Sequence, residues 1–367
     1  MEKTSKKDML LLAVLCGLLA FGGLSLLLFP APRFSAQENR FLAEKPDFSW
    51  QELQNGSYTA AWERYTAERI RGRGLLRSLH AATELTLGKC EAGNVIFCKD
   101  GSLAKRLDSG ERILQKNLKI LTGLESSCRA QALPLTVAVA PRRIDARAAA
   151  LPRLYRSDGN AAAYRRLTDT CAGVVTFPAL TADGDWFHTD HHWTAAGAYR
   201  AYCALAPALG YSPYGAENFS VTAVSAHFSG TSDAAAGIAG ITPDRIELWR
   251  YEGDETFHVK KDGSPANFKG LYDLEKLRTR DGYAVFLGGN DGVLEITTGE
   301  NDDRPTLLLI RDSFAGALLP FLARHYRIIA IDPRYAPRGI VEAYLPAASR
   351  VLFLCGMQTL SDTSLQI

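Results

Sequence analysis

The sequence predicts an α/β fold, a three-layer α/β/α domain with a mostly parallel sheet, preceded by one transmembrane helix. Three observations support it: a long uncharged run near the N-terminus, apolar runs that alternate with helical patterns, and the lack of any internal repeat or heptad pattern. A chain of 367 residues can bury one large core or two small ones. Its content of 47% hydrophobic and 22% charged residues is ordinary for a globular protein.

The N-terminus has the pattern of a membrane anchor. Lys3, Lys6 and Lys7 precede an uncharged run, residues 9–29, which is roughly as long as a helix that crosses a bilayer. No small-x-small cleavage motif follows, so the pattern favours a retained anchor over a cleaved signal peptide. Because the lysines lie on the N-terminal side, residues 1–8 are expected in the cytoplasm and the main domain outside the cell membrane.

Charge and cysteine content exclude other classes of protein. The chain has 42 basic and 40 acidic residues, a net charge of +2. It therefore lacks the excess of positive charge that is typical of nucleic-acid-binding proteins. The cysteines are too sparse for a disulfide framework. Cys90 and Cys98 are close enough in sequence to bridge, but free and mostly buried thiols are favoured. No zinc-type cysteine or histidine spacing occurs, so neither a metal nor another cofactor is predicted.

The pattern beyond the anchor divides into a helical segment and a compact domain. Residues 30–93 are predicted to form a juxtamembrane linker with a helical stretch over 57–85, and residues 94–367 a catalytic domain. That domain begins with a predicted hairpin over 94–103. Further strands are predicted at 135–140, 174–177, 283–287, 306–310, 327–331 and 350–354. Helices are predicted at 110–131, 161–168, 195–209 and 315–326.

One segment concentrates groups that can move protons. Asp190 lies two residues before His192, in a loop that leads into a predicted helix. A carboxylate in that position can bond one ring nitrogen of the histidine and leave the other free to take a proton. A structural alternative stays open, in which Thr194 caps the helix and Trp186 and Trp193 anchor the core.

A metal site is a further alternative for the same segment. Asp190, His191 and His192 all include competent ligand atoms. Adjacent histidines commonly point to different sides, however, and no other cluster in the sequence offers a clear partner. The pattern therefore favours proton transfer over metal binding.

Ser313 follows a predicted buried strand and precedes a predicted helix. This places it at the carboxyl edge of the sheet, where α/β proteins bind ligands and where backbone N–H groups at a helix start can hold an oxyanion. The alternative is that Asp312 or Ser313 only caps the helix.

Two other strand ends carry candidate groups. Gly289 and Asn290 follow the strand predicted at 283–287, where an amide and a close backbone could stabilise negative charge. A simple turn would use the same residue types. Arg334 follows the strand predicted at 327–331 and could bind an anionic or carbonyl-bearing substrate, or merely be solvated at the surface.

Together these segments resemble the DHHW protein family, named for the tetrapeptide present here as Asp190-His191-His192-Trp193. Shared pieces follow the family's order along most of the chain after the anchor. They are Glu38-Asn39-Arg40 with Leu42 and Pro46, Lys99-Asp100-Gly101, Gly197-Ala198-Tyr199, Gly288-Gly289-Asn290 and Arg311-Asp312-Ser313-Phe314.

The DHHW family looks like a relative of the SGNH-hydrolase-type acetyltransferases that modify alginate outside the cell. The resemblance implies an SGNH-hydrolase-like (flavodoxin-like) fold and a triad of Ser313, His192 and Asp190 that forms an acetyl-serine. Asn290, Gly289, Arg334 and His191 would serve the oxyanion or the substrate.

The expected function is therefore an O-acetyltransferase or acetylesterase that acts on a cell-surface glycan. A membrane-bound O-acyltransferase would supply the acetyl donor. The alternative is a catalytically silent protein of the same fold that binds glycan or scaffolds an assembly.

Overall fold

The computed structural model describes residues 6–29, 33–35, 40–106, 110–157, 160–238 and 240–367. Lys3 of the predicted anchor, and Glu38 and Asn39 of the resemblance to the DHHW family, lie outside these residues. The chain divides into two compact units. The first contains residues 1–89 and 234–240, and the second contains residues 90–233 and 241–367.

The described residues contain the following α-helices: α1 (Lys6–Leu28), α2 (Trp50–Gln54), α3 (Ser57–Arg69), α4 (Arg73–Thr86), α5 (Glu111–Ala130), α6 (Arg143–Ala146), α7 (Ala161–Thr170), α8 (Ala195–Leu209), α9 (Thr231–Ala236), α10 (Leu319–Leu322), α11 (Ile340–Tyr344) and α12 (Met357–Asp362).

They also contain these strands: β1 (Phe34–Ser35), β2 (Arg40–Phe41), β3 (Glu91–Ala92), β4 (Val95–Phe97), β5 (Leu103–Lys105), β6 (Leu135–Ala140), β7 (Ser220–Phe228), β8 (Asp244–Arg250), β9 (His258–Lys261), β10 (Ser264–Pro265), β11 (Val293–Thr297), β12 (Thr306–Arg311), β13 (Arg327–Ile331) and β14 (Arg350–Gly356).

In the first unit, α1 contains the apolar run. Within the described ranges it is the one helix long and apolar enough to cross a membrane, and its window Met9–Leu26 has a mean hydropathy of 2.4. A membrane anchor and a signal peptide both have this property. The helical stretch predicted over 57–85 is two helices, α3 and α4, because Gly72 between them has a left-handed φ of 80° that a helix cannot accommodate.

The second unit is built on a seven-stranded mixed sheet. Its strand order is β10-β9-β11-β13-β12-β14-β6. The four strands β13, β12, β14 and β6 are parallel, whereas β11, β9 and β10 pair antiparallel. The tight turn at Asp262 and Gly263 makes β9 and β10 a hairpin, and a hairpin is necessarily antiparallel. The predicted parallel arrangement therefore applies to four of the seven strands of the sheet.

The parallel strands are buried on both faces. Along β12, Leu307 and Leu309 pack into one apolar cluster, whereas Leu308 and Ile310 pack into another. All four side chains are fully buried. Alternate residues of a strand point to opposite faces, so the two clusters cover the two sides of the sheet. Each such side chain contributes about 1.5–3 kcal/mol by its burial, which fixes the strand that precedes Ser313.

The strand predicted at 283–287 is wrong. Gly282–Val285 form a short 3₁₀ helix, and Leu287, Gly288 and Gly289 have left-handed φ values of 59°, 76° and 98°. Such dihedrals are incompatible with a pleated strand. The run is apolar because it is buried, not because it belongs to the sheet.

Two other predicted elements are shorter than expected. In place of a helix over 315–326, a 3₁₀ turn at Ser313–Ala315 is followed by the four-residue α10. Pro320 lies at the start of α10, because proline has no N–H to continue a helix from the preceding turn. In the run 174–177, only Val175 pairs with the sheet, through a single bridge to Ala138.

Candidate functional site

Asp190, His192 and Ser313 form one chain of hydrogen bonds in the second unit. The Nε2 atom of His192 lies 2.7 Å from the Ser313 hydroxyl oxygen. Its Nδ1 atom lies 2.6 Å from Oδ1 of Asp190. Asp190 and His192 are buried, at 1% and 5% exposure. The structure therefore brings together three side chains that are up to 123 residues apart in sequence.

The segment before α8 is held by its own structural contacts. Thr194 caps α8, since its hydroxyl accepts a hydrogen bond from the Gly197 N–H. Trp186 and Trp193 are fully buried and form an isolated antiparallel bridge. The indole N–H of Trp193 donates to the carbonyl of Phe314 at 2.9 Å. The structural features expected of this segment are present, and they attach the Asp190 loop to the residue after Ser313.

The Asp190 carboxylate is surrounded by donors. Its Oδ2 accepts from the Thr231 N–H at 2.7 Å and from the Thr231 hydroxyl at 2.9 Å. Burial alone would raise the pKa of Asp190, but His191, His192 and the bonds from His192 and Thr231 outweigh it and hold that pKa well below the usual range. A side chain at Gly230 would collide with Asp190, so this approach requires glycine.

His191 lies against His192 rather than on the opposite side of the loop. The two ring centroids are 3.8 Å apart, which overturns the expectation that these adjacent histidines diverge. His191 Nδ1 lies 2.8 Å from the Thr231 hydroxyl oxygen. Burial, followed by the nearby His192, lowers the pKa of His191 to about 3. His191 is therefore neutral near pH 7.

Asp190, His191 and His192 each offer a metal-ligand atom, and these atoms lie within 4.8 Å of one another. Both nitrogens of His192 already have partners in Ser313 and Asp190. Within the described ranges no fourth side chain joins the group. A zinc ion would therefore have to displace the hydrogen bonds that hold His192 in place, so the donor set fits a metal poorly.

Ser313 lies directly after the carboxyl end of β12, the strand between β13 and β14. A 3₁₀ turn at Ser313–Ala315 replaces the start of the helix predicted over 315–326. The dipole of such a helix is therefore absent at this position. Asp312 caps the turn, accepting from the N–H groups of Phe314 at 2.9 Å and Gly356 at 2.8 Å. The Ser313 N–H has no partner among the described residues and remains available to a ligand.

The remaining candidates lie at the same edge of the sheet. The Asn290 side-chain oxygen accepts from the buried Arg311 at 3.0 Å, and its NH₂ group bonds to no residue in the described part of the chain. Gly289 precedes it with a left-handed backbone. Arg334 makes a two-pronged ion pair with the fully buried Asp332, at 2.8 and 2.6 Å. Its role in substrate binding stays a prediction.

Two contacts of the site were not predicted from sequence. The ring of Tyr283 stacks on His192, with centroids 4.1 Å apart and planes 7° from parallel. Thr231 contacts both Asp190 and His191. The run containing Tyr283 has the pattern of a strand, and Thr231 lies in residues 211–269, whose short glycine-rich elements have no clear pattern. A possible helix start at Thr231 was the only available signal.

The fold and this site define an α/β protein with a serine, histidine and aspartate joined at the carboxyl edge of its sheet. The predicted resemblance to the DHHW family is confirmed, because the model of the DHHW protein family matches residues 179–331. That match contains Asp190, His192 and Ser313. No curated protein sequence matches the chain.

Several solved structures are similar to this chain at low sequence identity. A DHHW family protein from Eubacterium siraeum has a TM-score of 0.59 and 18% identity, over 74% of this chain and 93% of that one. Bacillus cereus PatB1, solved with a sulfonyl adduct, has a TM-score of 0.59 and 18% identity, over 74% and 96% of the two chains. The O-acetyltransferase domain of Pseudomonas putida AlgJ has a TM-score of 0.46 and 17% identity, over 74% and 93%. At these identities the likeness to the first two structures concerns the fold alone.

Proposed function

We propose that the protein is an extracytoplasmic O-acetyltransferase or acetylesterase that acts on a cell-surface polysaccharide through an acetyl-serine at Ser313. The observation that carries the proposal is the continuous hydrogen-bonded chain from Asp190 through His192 to Ser313. The acetyl group and the glycan acceptor are inferred from the DHHW resemblance. Serine activated in this way is a general solution for acyl transfer.

The reaction has two balanced steps. His192 Nε2 takes the Ser313 proton while the serine oxygen attacks the acetyl carbonyl; the donor's ester C–O bond breaks and His192 returns the proton to the leaving alcohol. In the second step, His192 takes a proton from a sugar hydroxyl or water, whose oxygen attacks the acetyl carbon of the acetyl-serine. The bond between this carbon and the Ser313 oxygen then breaks, and His192 gives its proton to that oxygen, which restores Ser313. Asp190 remains ionised and stabilises His192 as imidazolium, in keeping with its strongly lowered pKa.

Two donors suit the oxyanion that forms in each step. Neither the Ser313 N–H nor the Asn290 NH₂ group has a partner among the residues the structure describes, and the bond from Arg311 to the amide oxygen fixes the orientation of the Asn290 amide. Gly289 allows the backbone to approach closely. One such donor typically contributes about 3–4 kcal/mol to the transition state.

Tyr283 and His191 would keep the His192 ring in place. Tyr283 is stacked almost parallel to His192 and is itself buried, at 7% exposure. The His191 ring contacts His192 as well, at 3.8 Å. A ring that is held between neighbours cannot rotate away from Asp190 and Ser313, and an aromatic face stabilises an adjacent cation by about 0.5–2 kcal/mol.

The proposal includes the topology inferred from sequence. Residues 1–8 would be a cytoplasmic tail, residues 9–29 the retained anchor, residues 30–93 a linker and residues 94–367 a three-layer catalytic domain outside the membrane. A membrane-bound O-acyltransferase would then deliver the acetyl group across the membrane.

Reporter fusions test this orientation. Alkaline phosphatase fused after residue 367 should be active only if the domain is exported. A fluorescent cytoplasmic reporter at the same position would contradict this orientation.

The enzyme assay uses the full chain in detergent micelles with 4-nitrophenyl acetate as donor. We expect hydrolysis that Ser313→Ala abolishes, because no other described serine hydroxyl contacts His192. Ser126→Ala on the exposed side of α5 is the matched control and should retain the wild-type rate. Equal rates in the wild-type chain and Ser313→Ala would reject the enzyme and favour the glycan-binding alternative.

A further inference from the structure

A small cavity lies beside the proposed site, at the carboxyl ends of three parallel strands. Arg142 and Arg143 follow β6, Phe314 follows β12 and Gln358 follows β14. Lys105, Pro141, Ile144, His191 and Met357 complete its wall. This is the edge at which α/β sheets bind their ligands. The cavity has room for about one water-sized group.

The wall of the cavity is cationic. Lys105, Arg142 and Arg143 line it, and none of the described acidic side chains does. Arg142 is neutralised by Asp145, with contacts of 2.7 and 2.8 Å. The side-chain ammonium group of Lys105 makes neither a hydrogen bond nor an ion pair with any residue the structure describes. Its charge is therefore available to a ligand.

Arg143 adds a second positive charge that its neighbours do not satisfy. It is only 4% exposed, and its Nη1 donates to the Leu103 carbonyl at 2.5 Å. Its Nε and Nη2 atoms are buried without a partner in the described part of the chain. Burial lowers the pKa of Arg143, with Asp100 and Asp244 acting in the opposite direction. A buried and incompletely paired guanidinium is costly, so an anion placed nearby would stabilise it.

We propose that this cavity binds one oxygen of a carboxylate or phosphate carried by the acceptor glycan, through Lys105 with Arg143 behind it. The inference rests on the proposed function, to which it adds the charge class of the substrate. His191 contacts both the cavity and His192, and Phe314 is the residue after Ser313. An anion held here would bring the neighbouring sugar hydroxyls towards the acetyl-serine. Because a neutral sugar lacks this contact, the cavity would select for charged acceptors.

Direct binding tests the inference independently of catalysis. Isothermal titration calorimetry on the full chain in micelles would compare four probes: methyl glucuronoside, its methyl ester, methyl glucoside 6-phosphate and methyl glucoside. We expect at least one charged probe to bind about tenfold more tightly than its neutral counterpart. Preference for the carboxylate would indicate a uronate acceptor, and preference for the phosphate would indicate a phosphorylated one.

Variants then assign the contact. Lys105→Met should bring the affinities of the charged and neutral probes to near equality, whereas Lys105→Arg should restore most of the difference. Lys119→Met, at an exposed lysine of α5, should retain the full difference. The preference should also weaken at high ionic strength.

The anion-binding inference and the proposed function are contradicted by different results. Equal affinity of the wild-type chain for charged and neutral probes would overturn this inference, even if Ser313 is acetylated. A charge preference that survives in Lys105→Met would overturn it too, since another site would be responsible. Failure to acetylate Ser313 would instead overturn the proposed function, whatever the binding data show.

Discussion

Replacing the aromatic ring that stacks on His192 should slow catalysis without abolishing it. Tyr283→Leu removes a ring whose centroid is 4.1 Å from that of His192. An aromatic face stabilises a neighbouring cation by about 0.5–2 kcal/mol, and in the proposed reaction positive charge develops on His192 as it takes the Ser313 proton. Loss of this interaction, which stabilises the charged histidine alone, corresponds to a fall in kcat of about 2- to 30-fold, with KM changed less.

Tyr283→Phe is the matched control, because it keeps the ring. The Tyr283 hydroxyl receives one long hydrogen bond, from the Ala317 N–H at 3.4 Å. Burial raises the pKa of Tyr283, so the phenol is neutral at neutral pH and is not a proton acceptor in the reaction. We therefore expect nearly wild-type kcat in Tyr283→Phe.

The assay is steady-state hydrolysis of 4-nitrophenyl acetate, with thermal unfolding measured on the same samples. Tyr283 is buried, so the leucine variant should also lose stability, and rates are compared well below its unfolding temperature. A wild-type kcat in a folded Tyr283→Leu protein would refute the view that stacking supports the base. A large loss of kcat in Tyr283→Phe would also refute this view, because the effect would then come from the hydroxyl group and not from the stacked ring.

Three further predictions follow from contacts of the same site. Thr231→Val removes a hydroxyl that donates to Asp190 at 2.9 Å, and kcat should fall about tenfold, whereas Thr231→Ser should remain near wild type. Prolonged chelation should leave ester hydrolysis intact; loss of activity that zinc restores would instead support a metal on Asp190 and the two histidines. The pKa of His191 is about 3 in the folded protein and near its ordinary 6.5 when unfolded, so only the unfolded chain takes up the proton as pH falls below 6.5. The urea midpoint should therefore decrease between pH 7 and 5, and His191→Asn should flatten that decrease.

Local sequence patterns were sufficient where an element has clear ends and a clear period. The strand predicted at 135–140 and the helix predicted at 195–209 have the predicted bounds. That helix stops where Gly210 adopts a left-handed φ of 73°, a common way to end a helix. Thr194 caps its start, so both ends of the helix could be predicted from the residue types.

Apolar runs without a clear period were misleading. Residues 283–287 are as apolar as a buried strand, yet Gly282–Val285 form a 3₁₀ helix and the ring of Tyr283 stacks on His192. Period alone cannot distinguish such short buried runs. The same limit applies to residues 315–326, where most of the apolar side chains are buried but only Leu319–Leu322 form an α-helix.

The site was predictable to the extent that it is local. Asp190 and His192 are two residues apart, so their contact could be inferred directly. Ser313 required the strand-edge argument together with the family resemblance. The contacts of Thr231 and Tyr283 depend on chain segments that meet only in the folded protein, and no local pattern encodes those distances.

Trapping the acyl-enzyme is the most direct test of the central claim. The full chain is mixed with 4-nitrophenyl acetate, quenched in acid within the first turnovers and digested for mass spectrometry. The account predicts one acetyl group on the peptide that contains Ser313, absent from Ser313→Ala and strongly reduced in His192→Ala. Turnover of the ester with no acetyl on Ser313, or with the same acetylation in His192→Ala, would contradict it.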